Sequence, residues 1–320
     1  MSSSAKHLGV VLVGILLVAL SACGSGSSDD STASKRPSGP VTISHQYGET
    51  TFDSVPKTVV TLSMQWSDTL ATLDIPIAAE FVASTFGTDP APWTPAHEST
   101  VIARESDTEV PLEEIASYKP DVILAGYIDE KNYDALSDIA PTIPVMDTEA
   151  QQDSWEDVLA ATGKIFDRED AAAKAQASAD ETFAQFKADH PEAQGQTFVF
   201  SQYSGDKLAV VAAESDPASR FMAALGFTLD PAVLDVAKGN ARVFISFEQI
   251  DVLSSDLLLM WSIPGKDALA DLTGFDSLPA VKSGQVVYLD NLIAAGLSSP
   301  SVASVTYAVT DLIEPVMAQA

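Results

Sequence analysis

Histidine and cysteine are the residues of this chain best suited to hold a metal, and their spacing argues against a metal site. The four histidines are residues 7, 45, 97 and 190, and Cys23 is the single cysteine. A zinc or manganese site needs three or four clustered His and carboxylate ligands. His45 lies in a predicted hairpin and His190 at the end of a predicted helix, so we do not expect these two to converge. The sequence therefore predicts no metal ligands supplied by the protein.

Catalytic motifs are missing from the sequence. It contains no G-x-S-x-G, no P-loop, no G-x-G-x-x-G after a strand and no H-E-x-x-H. The acidic pairs Asp29-Asp30 and Glu113-Glu114 fall on a polar linker and a helix start, where they indicate solvation rather than acid and base catalysis. The net charge of −28 also excludes nucleic acid as a natural partner. We expect no enzymatic activity, no catalytic residue and no cofactor.

Cys23 closes the tetrad Leu20-Ser21-Ala22-Cys23, which follows Lys6 and an apolar run of 13 residues from Leu8 to Leu20. That run suits a signal peptide and is shorter than the roughly 20 residues of a spanning helix. The tetrad resembles a bacterial lipobox, whose cysteine is lipidated, with palmitate among the expected acyl groups. We expect residues 1–22 to be a lipoprotein signal peptide and Cys23 to anchor the protein on the outer face of the cytoplasmic membrane. An ordinary secreted protein and an uncleaved anchor are the alternatives.

Residues 23–40 are mostly Ser, Gly, Asp, Thr and Pro with almost no apolar side chain, which is typical of a flexible tether. From residue 41 to 153, short apolar strands alternate with helices. The strands are predicted in a hairpin over residues 41–53 and in runs over residues 58–63, 121–125 and 142–147. Residues 191–320 repeat the alternation, with strands predicted over residues 197–202, 208–212, 243–246, 256–261 and 285–289.

Residues 154–190 differ from both halves because they are rich in Ala, Glu, Lys and Gln, contain no Pro and predict one long helix or two in series. Alternating strands and helices on both sides predict two doubly wound α/β lobes joined by this helical segment, with a parallel sheet in the first lobe. A ligand would then bind in the cleft between the lobes, at the carboxyl ends of the strands.

Five segments in this order resemble the iron-siderophore and vitamin B12 group of substrate-binding proteins that serve ABC importers. They are Pro56 to Ile75, Pro111 to Asp121 (PLEEIASYKPD), Leu136 to Pro141 (LSDIAP), Ile245 to Ile250 (ISFEQI) and Leu278 to Val286 (LPAVKSGQV). The resemblance covers residue 41 to the C-terminus. It implies the class III periplasmic-binding-protein architecture, in which a long backbone helix joins the two lobes.

The same resemblance implies a docking role for Glu113 and Glu248. In this family one glutamate on each lobe pairs with arginines of the membrane permease, and carboxylate–guanidinium pairs are directional and steer the encounter. Compensation of a helix dipole is the alternative for Glu113, and Glu114 could take its place in docking.

Ligand contacts are expected from residues that follow strands. Tyr127 matches a ligand-contacting tyrosine of hydroxamate-siderophore members, and Arg104 and Arg242 match cleft positions whose guanidinium groups would grip the oxygens of a ferric chelate. Arg220 is expected in a surface ion pair, with a cleft-facing position as the alternative. Four aromatic residues complete the set: Trp66, Tyr203 and Trp261, which are either ligand-contacting or core, and Trp93, which is expected at the rim of the cleft.

The resemblance therefore predicts a monomeric solute-binding lipoprotein that captures a ferric siderophore, with a slight preference for the hydroxamate type. Its partners would be a membrane permease and a cytoplasmic ATPase. The negative net charge disfavours a highly anionic tricatecholate. Haem or cobalamin is the alternative ligand, since one Tyr or His in the cleft suffices to hold haem. A sensor or scaffold with the same fold is the non-transport alternative.

Overall fold

A computed structural model describes residues 39–104, 109–148 and 152–319. The predicted signal peptide, Cys23 and nearly all of the predicted tether lie outside the described residues. Within these ranges the chain forms a hairpin, two larger β-sheets and the helices that cover them.

The first lobe, which we call the N-lobe, is built on a parallel five-stranded sheet. A hairpin of β1 (Val41–His45) and β2 (Gly48–Phe52) precedes it. The sheet has the order β5-β4-β3-β6-β7. Its strands are β3 (Val59–Thr61), β4 (Ala79–Ala83), β5 (Thr100–Arg104), β6 (Val122–Gly126) and β7 (Thr142–Pro144). The intervening helices are α1 (Met64–Thr72), α2 (Leu112–Ser117) and α3 (Glu130–Ser137).

All residues of β6 are buried, as expected for a central strand of a parallel sheet covered on both faces. The edge strand β5 and its neighbour β4 were not predicted from the sequence. β4 contains the buried Glu80, which interrupts its apolar run, and only two of the five residues of β5 are even half-buried.

The second lobe, the C-lobe, has a mixed sheet with the order β11-β9-β8-β12-β13, in which the short β10 also pairs with β8. Strand β9 runs antiparallel to β8 and to β11, and the remaining pairs are parallel. The strands are β8 (Thr197–Tyr203), β9 (Leu208–Val211), β10 (Thr228–Leu229), β11 (Arg242–Ile245), β12 (Leu257–Ser262) and β13 (Val286–Leu289). Helices α6 (Pro217–Ala224), α7 (Pro231–Ala237) and α8 (Pro279–Ser283) connect them.

Two helices, not one, connect the lobes. α4 (Trp155–Phe166) ends at Asp167, which adopts the left-handed conformation with φ 52°, and α5 (Glu169–Asp189) begins two residues later. A left-handed residue ends the helical hydrogen-bond pattern. Residues 154–190 therefore do not form a single helix. They form two helices in series, which was the other arrangement predicted from the sequence.

The chain finishes in α9 (Asn291–Ser298), α10 (Val302–Tyr307), a π-helical turn at Ala308–Ile313 and α11 (Glu314–Met317). Among the described residues no single helix is long and apolar enough to cross a membrane, and only the bent pair formed by α9 and residues 302–317 reaches that length and composition.

Candidate ligand-binding cleft

A cleft of about 1780 Å³ is lined by residues of both lobes. On the N-lobe side it is bounded by the carboxyl ends of the five parallel strands and by the loop between β4 and β5, as expected for a ligand site of a doubly wound sheet. We call this side the N-lobe wall. Its members include Ser63, Ala83, Phe86, Arg104, Tyr127 and Asp147, with Asp68 of α1 and Glu80 of β4.

The opposite side, the C-lobe wall, is built from four segments. They are the loop before α6 with the start of that helix, the beginning of β11, the end of β12 and one face of α9. Its members include Asp216, Arg220, Arg242, Trp261, Leu292, Ala295 and Ser298. The wall therefore combines basic, aromatic and small apolar side chains.

Tyr127 is the most exposed aromatic side chain of the cleft, with 66% of its surface accessible. It follows Gly126, whose φ of 65° and approach to Ser63 leave little room for a side chain, since a Cβ there would lie 3.0 Å from the Ser63 Cβ. The turn therefore requires glycine and places Tyr127 beyond the end of β6.

Trp261 supplies an aromatic surface on the C-lobe wall. Its indole Nε1 donates to Asn291 Oδ1 at 2.8 Å, and the side chain is half-buried. The hydrogen bond fixes the ring orientation while part of the ring still borders the cleft. Tyr127 and Trp261 therefore both line the cleft, and their contact with a ligand stays a prediction.

Three arginines border the cleft: Arg104 at the end of β5, Arg220 in α6 and Arg242 at the start of β11. Arg242 Nη2 lies 3.5 Å from Asp216 Oδ2, and about half of its side chain remains accessible. Burial raises the pKa of Asp216, and the charge of Arg242 opposes that increase. The structure selects the alternative for Arg220, which lies at the cleft rather than in a surface ion pair with a described residue. All three guanidinium groups are therefore placed where an anionic or oxygen-rich ligand would enter.

Asp68 is a buried carboxylate that the sequence analysis did not single out. It is 2% exposed and accepts hydrogen bonds from Trp93 Nε1 at 2.7 Å, Thr94 Oγ1 at 2.6 Å and Ser301 Oγ at 3.1 Å. Burial raises its pKa to about 6, although these hydrogen bonds stabilise the charged form. The carboxylate thus ties the loop between β4 and β5 to the start of α10.

Glu80 and His97 form a second polar pair on the N-lobe wall. His97 Nε2 lies 2.7 Å from Glu80 Oε1, and its Nδ1 lies 2.9 Å from the carbonyl oxygen of Pro95. Burial lowers the pKa of His97, but these two acceptors and the negative charges of Glu80 and Asp68 outweigh it, so the net pKa is raised. Ser99 Oγ also donates to Glu80. His97 is therefore held by acceptors within the protein.

The polar contacts continue where the lobes meet. Gln65 Nε2 donates to the carbonyl oxygens of Asp153 at 3.0 Å and Pro300 at 2.7 Å. The Asp153 carboxylate accepts from the backbone N–H of Met146 at 2.8 Å and Asp147 at 2.9 Å, and burial raises its pKa to about 6. The sequence contained a signal for the polar residues of α1. This helix must pack on a buried strand, yet it carries polar side chains at four positions: Gln65, Ser67, Asp68 and Thr69.

Three predicted aromatic positions are corrected by the structure. Trp66 is fully buried and does not line the cleft, because it belongs to the apolar core that also contains Leu70 of α1 and Val59 of β3. Tyr203 is 8% exposed, packs against Phe247 and donates to the carbonyl of Gly205, also outside the cleft lining. Trp93 is 8% exposed and packs against Gly296 and Tyr307 instead of standing at the rim.

The described residues contain no group of three or more His, Cys, Asp or Glu side chains arranged to hold a metal ion. Of the metal-ligating candidates, His45 hydrogen-bonds Thr50 in the hairpin and His190 contacts Glu192 after α5. They remain in separate parts of the chain, as their sequence positions indicated.

The two glutamates predicted to dock on a permease are both exposed. Glu113 lies in the first turn of α2 in the N-lobe, and Glu248 lies in the 3₁₀ helix Phe247–Leu253 of the C-lobe. Each lobe therefore presents one of them to solvent, and Glu114 is exposed beside Glu113.

Comparison with protein-family models decides the family. Residues 59–292 match the model described as periplasmic binding protein, which spans most of both lobes and the helices between them. The chain belongs to the periplasmic binding protein family. The predicted class of two α/β lobes joined by helices is confirmed, and so is the identification with substrate-binding proteins.

Similar proteins extend the match over nearly the whole chain. YclQ of Bacillus subtilis, named petrobactin-binding protein, is 26% identical over 303 residues, or 89% of this chain and 92% of YclQ. YhfQ of the same organism, named as a candidate ABC transporter substrate-binding lipoprotein, is 25% identical. The match covers 90% of this chain and 91% of YhfQ. The crystal structure of PiaA from Streptococcus pneumoniae with ferrichrome has a TM-score of 0.70 at 21% identity, over 87% of this chain and 99% of PiaA, which shows the shared fold.

Proposed function

We propose that this periplasmic binding protein is the solute-binding lipoprotein of an ABC importer and captures a ferric siderophore, with hydroxamate chelates slightly favoured. Its relatives are named for petrobactin binding and as a substrate-binding lipoprotein, and PiaA was crystallised with ferrichrome. In this proposal Cys23 carries the lipid, a permease with its ATPase receives the ligand, and the protein acts as a monomer. Iron arrives already chelated, so the protein needs no cofactor and catalyses no reaction.

The cleft carries this proposal. Its volume of about 1780 Å³ exceeds the roughly 300–1,000 Å³ of pockets for drug-sized ligands, so a bulky chelate fits. Tyr127 and Trp261 offer aromatic surface to the organic part, and Arg104, Arg220 and Arg242 offer forked donors to the metal-binding oxygens. The acidic groups Asp68, Glu80 and Asp153 on the same cleft favour a neutral or cationic chelate over a highly anionic one.

Tryptophan fluorescence of a soluble form that begins after Cys23 tests the ligand. We expect saturable submicromolar quenching by one class of ferric chelate, and none by its iron-free form, in a panel of ferric hydroxamates, ferric catecholates, ferric citrate, haem and cobalamin. Quenching by haem or cobalamin alone would replace the ligand and keep the importer role. A protein that binds none of them would instead be the sensor or scaffold.

Docking is tested separately from binding. In this proposal Glu113 and Glu248 pair with arginines of the permease. Reversing both charges, Glu113→Lys with Glu248→Lys, should abolish uptake in cells and leave the affinity of the purified protein unchanged. Glu181→Lys, at an exposed position of α5 that is not a docking candidate, is the control and should transport normally; normal transport by the double variant would refute the docking role.

A further inference from the structure

A small trough opens beside the main cleft at the edge of the C-lobe sheet. The register pairs Trp261 of β12 with Gln202 of β8, Gln202 with Ala209 of β9, and Ala209 with Phe244 of β11. Directly paired residues of neighbouring strands present their side chains on one face of a sheet. These four side chains therefore form one row across the sheet, ending at Phe244 on the outermost strand.

The row is shaped like a slot because its third member is small. Neighbouring strands lie about 4.8 Å apart, so Gln202 and Phe244 stand about 10 Å apart on either side of Ala209. A flat ring held between two side chains needs about 7–8 Å, twice the usual contact distance between carbon atoms. The trough has a volume of about 100 Å³, the same order as the roughly 150 Å³ cavity that holds benzene in another protein.

Chemistry as well as shape distinguishes the trough from the cleft. It shares Arg242 and Trp261 with the cleft, so the two sites are adjacent. None of the described residues that line the trough is acidic, whereas the cleft includes Asp68, Glu80 and Asp153. Lys207 Nζ lies 5.8 Å from the centre of the Phe244 ring. Cations close to aromatic faces favour an electron-rich ring.

Phe244 has no structural role that explains its exposure. Its side chain is 71% accessible, the largest value among the exposed large apolar residues of the described chain. A phenyl group on an edge strand would normally be avoided, because exposed apolar edges promote association. It lies next to a basic residue and beside the cleft, where a bound ligand could reach it.

We propose that the trough formed by Gln202, Ala209, Arg242, Phe244 and Trp261 is a subsite for a planar aryl group carried by the ligand of the main cleft. The inference rests on the proposed function, because the aryl group belongs to the ferric chelate. Phe244 and Trp261 supply aromatic surface, and Arg242 faces oxygen atoms attached to the ring. Phe244 is thus a specificity-determining residue, whereas the arginines of the cleft recognise any chelate.

A matched pair of chelates tests the subsite. The neutral ferric tris complexes of benzohydroxamate and acetohydroxamate present the same iron-binding groups and differ in the aryl ring, and each is titrated against the soluble protein by tryptophan fluorescence with excess hydroxamic acid. We expect the benzohydroxamate complex to bind at least tenfold more tightly. Phe244→Ala removes one side of the slot, and Ala209→Leu fills it. Each variant should reduce the ratio of the two affinities to below threefold.

Phe247→Ala is the control, because Phe247 is a partly exposed phenyl group of the next segment that does not line the trough. It should leave the ratio unchanged. Equal affinity of the wild-type protein for both complexes, or a ratio that survives both trough variants, would overturn the subsite while leaving ferric chelate capture intact. Failure of both complexes to bind would contradict the proposed function together with the subsite.

Discussion

The two walls of the cleft use their charged side chains in different ways. On the N-lobe wall the carboxylates of Asp68, Glu80 and Asp153 are almost completely buried, and each accepts hydrogen bonds from within the protein. On the C-lobe wall Arg220 and Arg242 are exposed, and Arg242 Nη2 lies 3.5 Å from Asp216 Oδ2. The carboxylates of the N-lobe wall are therefore hydrogen-bonded within the protein before a ligand binds, whereas the arginines of the C-lobe wall are accessible to the ligand.

This difference assigns separate tasks to the two lobes. A carboxylate with saturated acceptors gains little from a new partner, whereas an exposed guanidinium can exchange water for chelate oxygens. The N-lobe wall should therefore determine the shape of the cleft and the contacts between the lobes, and the C-lobe wall should contribute more of the affinity. Changes of the exposed arginines on the C-lobe wall should alter affinity alone, and changes of the buried carboxylates on the N-lobe wall should alter stability alone.

The largest effect is expected on the C-lobe wall. Replacing both arginines, Arg220→Gln with Arg242→Gln, should weaken binding of a ferric chelate about 100-fold or more, because each hydrogen bond from a charged donor contributes roughly 1.5–3 kcal/mol. The midpoint of urea unfolding should change little. Arg168→Gln is the control, since Arg168 is exposed at the break between α4 and α5, away from the cleft. Undiminished affinity in the double variant would contradict the assignment of the arginines.

Asp68→Ala is the corresponding change on the N-lobe wall. It removes both carboxylate oxygens that accept from Trp93, Thr94 and Ser301, so these buried donors lose their partner. The free energy of unfolding should fall by about 2–4 kcal/mol, measured by urea denaturation, while ligand affinity changes less than threefold. Asp89→Ala, at an exposed position on the same wall, should have no effect on either quantity. A large loss of affinity without a loss of stability would reverse the division between the walls.

The sequence was sufficient to predict features that depend on local patterns. Apolar runs located β3, β6 and β12 within one or two residues, and the position of Tyr127 after β6 placed it in the cleft. Parallel strands bury both faces, so each run is continuous and easily recognised. The break between α4 and α5 was left open, because one left-handed residue, Asp167, has no distinctive sequence signal.

Contacts between distant segments were not predictable in the same way. Asp68 and Ser301 are 233 positions apart, and only the folded chain shows that they share a hydrogen bond. Trp66 follows a strand and Trp93 lies in a Pro-rich loop, and both positions suggest ligand contact. The tertiary packing of α1 and α9 determines instead that both residues are buried. An aromatic residue near a strand end is equally suited to a core and to a cleft.

The raised pKa values of the N-lobe wall predict how stability depends on pH. Asp68 has a pKa of about 6 in the folded protein and an ordinary carboxyl pKa of 3.8 when unfolded, so the folded state holds the proton more tightly. Stability should therefore fall as the pH rises from about 4 to 6, by about 2–3 kcal/mol for this group, and Asp153 acts in the same direction. The raised pKa of His97 adds a further loss as the pH rises above 6.5.

Urea unfolding between pH 4.5 and 7.5 measures this effect, and the wild-type protein should be more stable at the acidic end. In Asp68→Asn the slope should become shallower, because the group that takes up the proton has been removed. A wild-type stability that rises over this interval, with the same slope in the variant, would show that other groups control the pH dependence.

The smallest effect is expected at the contact between Trp93, in the loop between β4 and β5, and Gly296 of α9. A Cβ at Gly296 of α9 would lie 2.5 Å from the ring of Trp93, so Gly296→Ala must displace that ring. We expect a loss of about 1–2 kcal/mol in the free energy of unfolding and a change in tryptophan emission. In a Trp93→Ala background the same substitution should become stabilising by up to about 1 kcal/mol, because alanine favours a helix interior over glycine. A reversal of sign can arise only if the two residues contact each other, since helix propensity alone would make Gly296→Ala favourable in both backgrounds.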